Sequence, residues 1–373
     1  MQTKLARQLG IDFPIFAFTH CRDVVAAVTN SGGFGVLGAT GFTPEQLEIE
    51  LSWIDEKVGN KPYGVDVIIP RRYEGQEEKG IEKQRAKVRA AIPDDYYTFA
   101  RSLLDAGGVP PLPPGKVLED RLSMTDAVST PLVDIALGHK NCRLIANALG
   151  TPPAEVISQV KSAGVMIGAL CGSAKHAQYH VDADLDFIIA QGGEGGGHTG
   201  TIGSVVLWPQ VVDIAGDIPV LAAGGIGSGR QMLAALASGA QGVWCGSVWL
   251  TTTEAETTEA AKQAMFRATS SDTVRSRSFT GKPVRMLRNA WTDAWDAPGN
   301  PESLGAPMQM MMAGESLLRV SRHPEKSQDF AFNPVGQIVG AMNSTISARD
   351  QVMAMVNEYL AACDHINSLL PES

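Results

Sequence analysis

The segment Gln191-Gly-Gly-Glu-Gly-Gly-Gly-His198-Thr-Gly200 is the part of this chain best equipped for chemistry. Six of its ten residues are glycine, the residue that loses most backbone freedom on ordering. A loop so composed is expected where backbone must lie against a flat ligand. His198 stands at its far end, and an imidazole held there can give or take a proton near neutral pH. A lone histidine is more often structural or solvated, but the ligand-loop context favours function. Of the other side chains, Gln191 cannot transfer a proton and Glu194 reads as part of the loop's frame.

A second pair of segments points to a phosphate. Ile218–Arg230 (IPVLAAGGIGSGR) and Gly242–Leu250 (GVWCGSVWL) each read as a buried strand ending in glycine. Gly224 and Gly225 would let backbone approach an anion, and Gly246 with Ser247 would add an N–H and a hydroxyl. Singly, each could be a tight strand-to-helix turn. Together, at successive strand ends, they match the phosphate site that the last two loops of a parallel barrel commonly build. Gly195-x-Gly197-x-x-Gly200 also fits the dinucleotide G-x-G-x-x-G pattern, but that fingerprint should open a helix at once. Here Thr-Ile-Gly-Ser-Val-Val follows, with Pro209 where the helix would run.

Short β-branched runs alternating with helical stretches would position these loops. Strands are expected at Phe13–Phe18, Gly35–Leu37, Gly64–Ile69, Arg143–Ala148, Val165–Ala169, Phe187–Gln191, Pro219–Ala223 and Gly242–Gly246. Helical patterns intervene, as at Pro44–Val58, Pro153–Ala163 and Gly229–Ser238. Eight such units predict an α/β fold, a (β/α)8 TIM barrel over residues 1–255; periodicity alone leaves an open doubly wound sheet as the alternative. Residues from about 71 to 140 are too long for one crossover and read as a rim insertion. From 256 to 373 the pattern turns mainly helical, a C-terminal cap whose last helix could return to the barrel. Its methionines, Met308, Met310, Met311 and Met312, read as core filler.

Composition narrows the function. The formal charge is −9 with no basic stripe, which gives nucleic acid and anionic membrane no electrostatic footing. Five scattered cysteines without a C-x-x-C pair argue for reduced thiols rather than a disulfide framework or zinc site, so no metal is expected. No apolar run reaches the ~18 residues of a membrane helix, and the N-terminus lacks a signal core. A cytoplasmic protein is expected.

Taken together, these segments resemble the nitronate monooxygenase family, formerly called 2-nitropropane dioxygenases, and the related FMN-dependent enoyl-ACP reductases. The family shows Q-G-x-E-A-G-G-H-x-G, then A-A-G-G-I with a G-R-x-x-x-x-A-L helix, then G-A-x-G-V-x-x-G-[ST]-x-F-L. This chain reads QGGEGGGHTG, AAGGIGSGRQMLAAL and GAQGVWCGSVWL. Weaker resemblance lies at Asn30–Gly35, Pro62–Val67, Thr280–Arg285 and Gly336-Gln337. The resemblance implies an FMN oxidoreductase that oxidises a nitronate or similar small anion with O2 to a carbonyl compound and nitrite. It implies that Gln191 bonds the flavin edge, that Gly195, Gly196 and Gly197 line the flavin, and that Gly224, Gly225, Gly246 and Ser247 hold its phosphate. His198 matches the family's catalytic histidine. Ala17, Phe18 and Asp66 fall at flavin or substrate positions. Ala17 replaces a family Gln, His20 a family Met and Asp66 a family Asn. His20 is therefore a competing catalytic candidate. A charged Asp66 would repel a nitronate unless burial keeps it protonated, so weak nitronate turnover is expected. The rival readings are an NAD(P)H-dependent FMN reductase of a quinone or an enoyl- or acyl-CoA thioester and a non-redox phosphate-binding barrel enzyme. A small-molecule substrate is expected throughout, and a homo-oligomer stays open.

Overall fold

The computed structural model of the chain describes residues 1–69, 81–113 and 126–370. Its strands are β1 (Ile15–Thr19), β2 (Phe34–Gly38), β3 (Tyr63–Val67), β4 (Cys142–Asn147), β5 (Met166–Cys171), β6 (Phe187–Gln191), β7 (Gly197–His198), β8 (Val220–Ala223), β9 (Gly242–Cys245), β10 (Thr273–Ser276) and β11 (Val284–Leu287). Eight of them close a barrel in the order β1-β2-β3-β4-β5-β6-β8-β9. Every neighbouring pair is parallel. The expected (β/α)8 architecture holds, and the open sheet is excluded by the β1–β9 pairing.

Alternation along each strand sorts the side chains. Phe16, Phe34, Val36, Leu144, Ala146, Phe187, Ile189, Leu221, Ala223 and Trp244 point inward and fill the barrel. The short helix Lys4–Leu9 closes its floor with Leu5 and Ala6, and is capped by the Thr3 hydroxyl and left-handed Gly10. The opposite row packs on the surrounding helices. Pro44–Val58 shows why such a helix forms there. Thr43 and Gln46 make a capping box, Pro44 takes the first turn, and Leu47, Leu51, Ile54 and Val58 recur on one buried face. Each such side chain contributes about 1.5–3 kcal/mol on full burial.

The helix Asp126–Gly138 corrects the expected bounds of the insertion. Its Leu132, Val133 and Ala136 join the cluster of Leu47, Leu51 and Val65. It is therefore the crossover from β3 to β4, and its apolar run had been absorbed into the 71–140 stretch. The helices Ile81–Ala90 and Asp94–Ala106 are the described part of what remains; residues 70–80 and 114–125 lie outside the described residues. Ala100 and Leu104 of the second helix bury against Trp295, Met312 and Phe330. The C-terminal region is also not purely helical. β10 and β11 form an antiparallel hairpin, and β11 takes up β7, the end of the glycine loop, as a third strand. Met312 is fully buried there, as core filler should be. The last helix, Ala348–Ser368, returns to the barrel wall: its Val352, Met355 and Val356 pack with Met232 and Ala235 of the helix Gly229–Ala237.

Candidate active site

The carboxyl ends of the barrel strands carry the predicted residues. Gln191 ends β6 on the inward row, and the glycine loop leaves from it. The loop is clamped on every side. The Glu194 carboxylate accepts from the Ser204 amide and from its hydroxyl at 2.7 Å. Gly193 donates to the Ile202 carbonyl, while its own carbonyl accepts from Arg285. The Thr199 carbonyl accepts from Arg275. The Glu194 carbonyl accepts from the Gln337 amide, and the Ser247 hydroxyl accepts from the Gly336 amide at 2.8 Å. The C-terminal region thus ties the glycine loop to the turn after β9.

This clamping gives two of the loop's glycines a reason within the chain itself. A Cβ on Gly192 would stand 2.0 Å from the Ser204 hydroxyl, and one on Gly196 would stand 2.8 Å from the Gly336 amide. These glycines are required by close approach of the chain to itself. The two turns beyond differ. Gly224 and Gly225 both have positive φ, at 103° and 70°, and among the described residues the amides of Gly225 and Ile226 have no protein acceptor. Gly246 faces Phe18 at ordinary contact distance, and Ser247 opens the short 3-10 helix Ser247–Thr251. These turns face one another across adjacent strands with donors to spare.

His198 sits on β7, in register with Val284 of β11. Its Nε2 lies 3.1 Å from the Thr280 hydroxyl. Burial, and after it the charge of Lys282, pushes the imidazole down from 6.5 to about 4, so the ring is neutral at physiological pH. Lys282 is itself held down by burial. Asp66 projects inward from β3, opposite Gly38 and Ala146. It is 2% exposed, its Oδ2 has no hydrogen-bond partner, and burial raises its carboxyl well above the ordinary carboxylate range. That burial favours the protonated acid, the condition under which the expected repulsion of an anionic substrate weakens.

Two further candidates lie on or just beyond β1. Ala17 is fully buried in the outward row of β1 with Ile15, in one cluster with Val24 of the helix Arg22–Asn30, so its side chain is turned from the mouth; Phe18 is the inward neighbour. His20 lies at the end of β1, its Nδ1 2.9 Å from the Gly38 carbonyl. It lines a cleft of about 440 Å³ with Thr40, Phe42 and Gln46, on a different arc of the rim from His198. Sequence reasoning missed Thr280 and Lys282 as partners of His198. The signal was the Thr280-Gly-Lys-Pro-Val-Arg285 motif, to which it gave no role.

The nitronate monooxygenase family model matches residues 3–358, which takes in the barrel, the glycine loop, the hairpin and the first half of the returning helix. The chain belongs to the nitronate monooxygenase family. It is accordingly an oxidoreductase of that type. A Mycobacterium tuberculosis protein named as a monooxygenase is 48% identical over 99% of this chain and 100% of its own length. A Staphylococcus aureus protein named for nitronate monooxygenase is 30% identical over 78% of this chain and 80% of its own. The solved structure of nitroalkane oxidase from Streptomyces ansochromogenes superposes with a TM-score of 0.79 at 25% identity, covering 97% of this chain and 99% of that one. Among the described residues, no helix of this family member is long and apolar enough to cross a membrane.

Proposed function

We propose that this chain binds FMN across the mouth of the barrel and oxidises a nitronate, or a similar small anion, with molecular oxygen. The observation that carries the reading is the glycine loop's presentation of a neutral, partly buried His198 beside the cation of Lys282. A neutral imidazole can accept a proton, and a nearby cation favours an anionic substrate.

The residues present fit the flavin. The unpartnered amides of Gly225 and Ile226, with Gly246 and Ser247 on the adjacent turn, suit a phosphate. Gln191 spends its amide nitrogen on the Gly196 carbonyl, which leaves its amide oxygen for the ring edge. The orphaned carboxyl of Asp66, neutral and inward, is a donor in need of an acceptor. Gly195, Gly196 and Gly197 offer a flat wall. FMN rather than FAD fits because neither turn leads to an evident second nucleotide site.

Bound FMN supplies the one-electron and oxygen chemistry. The chain's own contribution is to hold the substrate anion against Lys282 and to keep water from the ring through the clamped loop. With a neutral nitroalkane, His198 takes the proton from the carbon next to the nitro group, and the electron pair stays on the substrate as the nitronate. Oxygen uptake and nitrite release with propionate 3-nitronate test the reading. Nitrite should form in step with oxygen consumption. Protein that carries no FMN, cannot be reconstituted with it and releases no nitrite overturns it.

A further inference from the structure

Donor accounting around Thr280 points to the nitrogen of His198 that carries the proton. A hydroxyl has one hydrogen to give and two lone pairs to receive. The Thr280 hydroxyl gives its hydrogen to the Lys282 carbonyl, 3.1 Å away, and receives the Lys282 amide at 3.3 Å. Its second lone pair faces His198 Nε2 at 3.1 Å. With the hydrogen already committed, that contact requires Nε2 to be the donor. Nδ1 is then the lone-pair nitrogen. Among the described residues it has no hydrogen-bond partner, and it is not among the buried unsatisfied atoms, so it remains accessible. Thr280 is 3% exposed and fixed in a two-residue turn that leads into β11, the strand paired with His198.

We infer that Thr280 is a positioning residue: it pins His198 as the Nε2–H tautomer and so makes Nδ1 the atom that takes the substrate's proton. The inference rests on the proton role proposed for His198, but its structural half stands apart from the activity. In the step itself, the substrate C–H bond breaks, the proton moves to Nδ1, the electron pair remains on the nitronate, and the imidazolium that forms keeps its Nε2–H on Thr280. A tautomer held the wrong way disables a catalytic imidazole even when its place is unchanged.

The test uses the flavin-loaded enzyme, wild type, Thr280→Val and Thr280→Ser, with two substrates. Nitroethane must lose a proton before oxidation and ethylnitronate has already lost it. Thr280→Val should lower turnover of nitroethane roughly 10- to 1000-fold, a part of the ~10²–10⁴-fold that a positioned general base contributes. It should leave ethylnitronate turnover within about threefold. Thr280→Ser, which keeps the hydroxyl, should restore nitroethane turnover. Nitrogen-15 spectra of histidine-labelled protein report the tautomer directly: wild type and Thr280→Ser should show His198 protonated on Nε2, and Thr280→Val should show a mixture. A wild-type His198 protonated on Nδ1 overturns the inference, as does equal loss on both substrates. If the tautomer signals behave as expected and neither substrate is turned over by the wild type, the positioning stands and the proposed function is what has failed.

Discussion

Gly224→Ala should be among the most damaging single-methyl changes in the protein, and the structure says by how much. Gly224 has φ at 103°, and a Cβ built on it would lie 2.5 Å from the Ser204 hydroxyl and 2.8 and 2.9 Å from the Gly192 amide nitrogen and carbonyl oxygen. Gly164 provides the control: its φ is 72°, and nothing lies within 4 Å of its Cβ position. Left-handed backbone costs an L-residue about 1–2 kcal/mol, so Gly164→Ala should lose about that much. Gly224→Ala adds the overpacking of a site whose neighbours include rigid backbone, about 1–3 kcal/mol more. The expected total is about 2–5 kcal/mol, read from urea denaturation of both variants alongside wild type. The clash also pushes on Ser204, which holds the Glu194 carboxylate, so His198 should be displaced and activity should fall beyond what lost stability explains. Equal midpoints for the two variants would refute the argument that this turn is a close chain crossing.

Asp66→Asn replaces one neutral hydrogen-bonding group with another, so FMN retention and nitronate turnover should stay within about threefold of wild type; a large gain in nitronate turnover would show that Asp66 is ionised after all. His198→Asn should cost roughly 10²- to 10⁴-fold on a neutral nitroalkane while the released flavin remains stoichiometric, whereas loss confined to His20→Asn would move the assignment to the β1 rim. The pH profile follows from the lowered His198. Activity that needs the neutral ring should persist as pH falls below 6.5 and decline only near 4, because the protonated form is disfavoured by burial and by Lys282. Lys282→Gln removes the second cause, so the acid limb should move to higher pH, and a limb that stays put would remove Lys282 from the site.

The barrel was legible because its strands are buried on both faces and read as apolar runs such as Phe187–Gln191, and because β8 and β9 end in glycine turns that few other contexts explain. The insertion's far edge was not legible. The helix Asp126–Gly138 is apolar enough to be a crossover, but it carries Pro131 within it and follows a long polar stretch, so no local signal separated it from its surroundings. The β10–β11 hairpin escaped for a related reason: four-residue strands such as Val284–Leu287 owe their existence to pairing with β7 and with each other, not to their own pattern. At the site, residue types were readable and partners were not. His198 stood out by its loop, whereas Thr280 is 82 positions away in sequence and is brought to it only by the hairpin. Asp66 could be seen as an acid, but its neutrality is a consequence of burial. Ala17 was named beside Phe18, and the strand's alternation turns its side chain outward while Phe18 faces in.

On the proposed function, electrons enter this protein from an anionic nitro substrate at a bound FMN. Anaerobic mixing of the purified protein with propionate 3-nitronate, and separately with NADH and NADPH, tests it most directly. Bleaching of the flavin by the nitronate alone, with colour returning on admission of oxygen and nitrite released, is the predicted result. Bleaching by NADH or NADPH, with the nitronate inert, would contradict it.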